Sequence, residues 1–101
     1  MLFRSRKAVE LDPRLVEAHV DLANALVQEG DVQEAKMHYL EATRIDPKLA
    51  QPHNYLGKIL MRENKISEAI VQFEEALRLH PDFPEAEENL RNAKRTDAYS
   101  Q

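Results

Sequence analysis

Four histidines, His19, His38, His53 and His80, are the side chains of this sequence best suited to acid–base or metal chemistry, and Asp and Glu are abundant around them. His19 and His53 stand 34 residues apart and could come within reach of one metal, but no carboxylate or third ligand accompanies them at a binding spacing. They read as half-buried spacers at a packing position. Ser5, Ser67 and Ser100 have no histidine at an informative distance, and the sequence holds no cysteine and no glycine-rich phosphate loop. Ser67 is better placed to help start a helix after Asn64-Lys65. Neither catalysis, a metal nor a cofactor is expected. Lys58 and Arg62 are a different case: four residues apart, they share a helix face and could jointly grip a carboxylate, unless they merely solubilise the surface.

The elements that position these residues repeat. Pro13, Pro47 and Pro81 recur every 34 residues, in step with Ala8, Ala42 and Ala76, with Leu22 and Leu56, and with the aromatic pair Tyr39 and Phe73. Apolar residues within each period lie three and four apart, as Leu22, Ala23 and Leu26 do, so two helices per period follow. Gly30 and Asn64 exchange at one position; both take the left-handed conformation readily, which marks the turn between those helices. Asp46-Pro47 and His80-Pro81 mark the other break, because proline has no amide to continue a helix. The spacing predicts helices near 2–11, 15–29, 32–45, 49–63, 66–79 and 83–96. Ala35, Ala42, Ala69 and Ala76 would let neighbouring helices close up, and Gly57 inside a helix implies a closer approach still.

Composition suits a soluble, helical, intracellular protein. Of 101 residues, 18 are acidic and 14 basic, a balance that offers no excess cation to a nucleic acid backbone. No apolar run reaches the roughly 20 residues that span a bilayer. A cytoplasmic setting, with neither nucleic acid nor membrane as partner, is the expectation.

Taken together these residues resemble the tetratricopeptide repeat family, whose signature reads Leu22, Ala23, Leu26, Ala35, Tyr39, Ala42, Pro47 in one repeat and Leu56, Gly57, Leu60, Ala69, Phe73, Ala76, Pro81 in the next. His19 and His53 stand where the family often has Trp, and Leu26 and Leu60 where it often has Tyr. The resemblance implies an all-α, right-handed helix-turn-helix solenoid of about six helices. Its parts would be an N-terminal half repeat (1–14), repeat 1 (15–49), repeat 2 (50–83), a capping helix (84–96) and a frayed tail (97–101).

It also implies a protein-interaction module or adaptor whose concave groove receives a peptide or helix of a partner protein. The groove positions carried over are Val20, Asn24 and Val27, then Asn54, Lys58, Met61 and Arg62, then Glu85 and Glu88. The family's carboxylate clamp, which holds a chaperone C-terminus, is poorly matched: Asn24 fits, but Val20, Glu85 and Asn89 stand where basic residues belong, and Tyr55 replaces the second asparagine. At the N-terminal end Ser5 occupies the aromatic position and the preceding helix is missing, so Leu2, Phe3, Ala8 and Val9 are expected to lack cover. Two copies could bury that face as a homodimer; a stub cut from a longer array, or a purely structural segment with no ligand, is the alternative.

Overall fold

The computed structural model describes residues 2–99, which form six helices and, among the described residues, no strand. They are α1 (Leu2–Leu11), α2 (Val16–Gln28), α3 (Val32–Ile45), α4 (Ala50–Arg62), α5 (Ile66–Leu79) and α6 (Pro84–Tyr99). All six lie where the spacing predicts. The exception is the tail: α6 continues through Thr96 to Tyr99 instead of fraying, and Ser100 and Gln101 lie outside the described residues.

The turns have the chemistry their residues require. Gly30 has φ +86° and Asn64 φ +62°. After α2, the Gly30 amide donates to Val27 O and the Asp31 amide to Leu26 O; after α4, Asn64 donates to Met61 O and Lys65 to Leu60 O. This paired capping by a left-handed residue satisfies carbonyls that the helix end would otherwise leave open. Asp46 and His80, each ahead of a proline, leave the helical region at φ −133° and −141°. Ser67 does not begin α5: the residue at the N-cap is Lys65, which makes no side-chain capping bond.

The helices divide between Pro47 and Lys48 into two compact units. In the first, α2 packs on both α1 and α3. Ala35 and Ala42 are fully buried, and Leu22, Leu26 and Tyr39 nearly so. Nothing on α1 is fully buried, but of the four residues expected to lack cover only Phe3 is largely exposed; Leu2, Ala8 and Val9 are half-buried, because α1 packs on α2. In the second unit, α5 packs against α4 and α6. One cluster joins Leu60, Ile66, Ala69, Phe73 and Ala93, with Met61, Ile70 and Leu90 against it; another joins Ala50, Ala76 and Ala86. Gly57 permits the closest approach: a Cβ there would lie 2.6 Å from Cδ1 and 2.8 Å from Cζ of Phe73. On α6, Arg91 and Lys94 face solvent.

Candidate functional site

On the second unit, α4 and α6 bring together Asn54, Lys58, Glu85 and Asn89. Asn54 is only 1% exposed. Its Nδ2 donates to Glu85 Oε1 at 2.7 Å, and its Oδ1 accepts from Asn89 Nδ2 at 2.9 Å. A buried amide must find partners, and α6 supplies them. Lys58 is exposed, with Nζ 3.4 Å from Glu85 Oε1 and 5.6 Å from the centre of the Tyr55 ring. Arg62 and Glu88 are exposed as well, while Met61 is half-buried against the Phe73 cluster.

Of the groove positions on the first unit, Val20 is buried, Val27 is half-buried, and Asn24 Oδ1 accepts a hydrogen bond from the Tyr39 hydroxyl. Asn24 also lines a cleft of about 480 Å³ between α1 and α2, together with Arg4, Ser5, Asp21, Ala25 and Gln28. A second, smaller hollow of about 320 Å³ is walled by Leu49, Ala50, Gln51, His80 and Phe83.

His19, His38 and His53 are occupied structurally. His19 Nε2 lies 2.6 Å from the Pro13 carbonyl and must donate to it. That leaves neutral His19 Nδ1 to accept from His38 Nδ1 at 3.0 Å. Burial and the neighbouring His19 hold His38 below its ordinary value, partly opposed by Glu34, whose Oε2 is 3.7 Å from Nε2. Glu34 is in turn gripped by Arg6 through bonds of 2.7 and 3.1 Å, which lowers the carboxyl and raises the guanidinium. One period on, His53 Nδ1 meets Gln72 Oε1 at 2.8 Å. Among the described residues no group of three or more His, Cys, Asp or Glu could hold a metal ion.

Spacing alone missed two pairings, Asn54 with Asn89 and His19 with His38. Both join different helices, and no helical periodicity links their positions.

No helix among the described residues is long and apolar enough to cross a membrane. No curated protein matches the sequence. Solved structures of similar fold include the first TPR of Spaghetti (RPAP3) bound to the HSP90 peptide SRMEEVD, at 21% identity and a TM-score of 0.91 over 96% of this chain and 77% of that one. The Arabidopsis OM64 TPR domain is 20% identical, with a TM-score of 0.88 over 93% of this chain and 78% of its own. MamA is 18% identical at a TM-score of 0.87; 96% of this chain is matched but only 57% of MamA. A family model described as TPR repeat matches residues 23–63, and one described as Tetratricopeptide repeat matches residues 50–83. With the 34-residue period, the two glycine or asparagine turns and the buried alanine–aromatic pairs, these matches show that the chain belongs to the tetratricopeptide repeat family.

Proposed function

We propose that the chain is a protein-interaction module, without catalysis of its own, that receives an acidic peptide or helix of a partner protein on the face that α4 and α6 present. The observation that carries this reading is the state of Lys58 and Arg62. Both are exposed one turn apart on α4, and Lys58 rests on Glu85, itself half exposed. An exposed ion pair of this kind is worth roughly 0–1 kcal/mol, so a ligand carboxylate can draw Lys58 away at little cost while Glu85 keeps its bond to Asn54. Asn54 holds Glu85 from beneath and keeps the α4–α6 face ordered. Met61 and Glu88 would border the ligand on this face; Val20, Asn24 and Val27 belong to the first unit.

A fold neighbour holds the acidic HSP90 peptide SRMEEVD. In this chain Val20, Glu85 and Asn89 replace the basic residues of a chaperone-tail clamp, so the carboxylates recognised are those that Lys58 and Arg62 reach. Fluorescence polarisation with labelled acidic and neutral peptides tests this. Acidic peptides should bind in a salt-sensitive way and weaken when Lys58 and Arg62 are both replaced by Ala. Binding indifferent to salt and to both substitutions would overturn it, and a folded chain that binds no peptide would leave a structural segment.

A further inference from the structure

Lys58 and Glu85 hold unequal places in their ion pair. Glu85 is fixed from below: its Oε1 accepts from the buried Asn54 amide at 2.7 Å, and Asn54 is itself tied to Asn89. The same oxygen takes the longer contact from Lys58 Nζ at 3.4 Å, so Glu85 Oε2 has no partner among the described residues. Lys58 is held only by that contact and by the face of the Tyr55 ring. Arg62, one turn on, is exposed and meets no acidic side chain among the described residues. The α4 side of this face thus offers two cations that can move, and the α6 side a carboxylate that cannot, with exposed Glu88 three residues beyond it.

We propose that Glu85 is a specificity-determining residue: it makes the α4–α6 face select an extended segment of a partner protein in which a basic residue stands between two acidic ones. This rests on the acidic-ligand reading of Lys58 and Arg62 given above.

A ligand carboxylate that draws Lys58 away leaves Glu85 charged, held by a neutral amide and facing the incoming acid. A purely acidic ligand therefore forms one ion pair by breaking another and brings like charges together. A ligand cation beside the acid removes both penalties, because it can reach the open Oε2 of Glu85. One pair inside the chain is then exchanged for two across the interface.

The order of charges follows from spacing. Lys58 and Arg62 lie about 6 Å apart along α4. Alternate residues of an extended chain are about 6.7 Å apart and project to the same side, while the residue between them projects to the other. With two acids turned toward α4, the middle side chain is turned toward α6, where Glu85 and Glu88 stand.

The probes are three fluorescein-labelled peptides with common glycine–serine flanks that carry Glu-Lys-Glu, Lys-Glu-Glu or Glu-Ala-Glu, titrated into the full chain by anisotropy. Glu-Lys-Glu should bind tightest, about fivefold better than Lys-Glu-Glu. Those two have the same net charge, so general attraction to the chain cannot separate them. In Glu85→Gln, which keeps an oxygen for Asn54, the two should bind alike. Lys58→Ala with Arg62→Ala should weaken all three peptides, and circular dichroism establishes that each variant is folded. The proposal is overturned if Glu-Lys-Glu and Lys-Glu-Glu bind the parent chain alike, or if their difference survives Glu85→Gln. Where binding in either case still depends on Lys58 and Arg62, the role of Glu85 falls and the acidic-ligand reading stands; a folded chain that binds none of the peptides overturns both.

Discussion

Replacing Gly57 by alanine sets two effects of opposite sign against each other. Inside a helix the change ordinarily stabilises by about 1 kcal/mol, because glycine loses more backbone freedom on folding. Here the new methyl would stand 2.6 and 2.8 Å from Cδ1 and Cζ of Phe73 and closer still to Cε1, where carbon atoms settle at about 3.5–4.0 Å. The ring must therefore retreat by about 1 Å. It is 1% exposed and walled by Leu60, Ile66, Ala69 and Ala93, so the retreat pushes on a filled core. Overpacking of this kind costs roughly 1–3 kcal/mol, and a displaced aromatic ring belongs at the upper end. The expected balance is a net loss of about 1–2 kcal/mol. Urea unfolding followed by circular dichroism would read it as a lower midpoint at unchanged slope. Adding Phe73→Leu should remove much of the penalty, so that the two substitutions couple strongly. A Gly57→Ala variant as stable as the parent, or more so, would refute the reasoning.

Ala76→Leu, at a fully buried position between Ala50 and Ala86, should cost roughly 1–3 kcal/mol in the same assay. Asn54→Asp would set a second carboxylate against Glu85 and take the donor from that bond; a loss of roughly 1–3 kcal/mol is expected, and a neutral result would mean that the amide is not buried as described. His38 is held below its ordinary 6.5 by burial first and His19 second, so the fold favours the neutral ring. Stability from this group is complete above the unfolded value and is lost as the pH falls through 6.5 toward the folded value. His38→Gln, which copies the Gln72 arrangement, should flatten that loss in midpoints measured from neutral pH to about pH 5, above the carboxylate range.

Most of the fold was legible because it is written in local chemistry. Gly30 and Asn64 share only their tolerance of positive φ, and that sufficed to place both turns. Ala35, Ala42, Ala69 and Ala76 announced close packing because nothing else explains small residues at those intervals, and all four are fully buried. The interaction surfaces were less legible. The family resemblance assigned Asn54 to a face, but not the two side chains that α6 brings to it from more than 30 residues away. His19 and His38, 19 residues apart, belong to no helical period, and their pairing depends on where two helices cross. Ser67 misled because a residue that caps well in general does so only at the N-cap, and Lys65 stands there. The tail misled in the opposite sense: a frayed end was expected from residue 97, but α6 continues to Tyr99.

The bond from Asn54 to Glu85 and Asn89 does more than satisfy a buried amide. The inward residues of α6, Ala86, Leu90 and Ala93, are small or flexible and recur at helical intervals, so apolar contact alone would tolerate a slide of one turn along its neighbours. Glu85 and Asn89 are themselves one turn apart, so such a slide would put one of them in the other's place and leave the buried Asn54 amide one partner short, at a cost of roughly 1–3 kcal/mol. One asparagine thus acts as a detent, turning a greasy contact that could sit at several settings into one with a single setting.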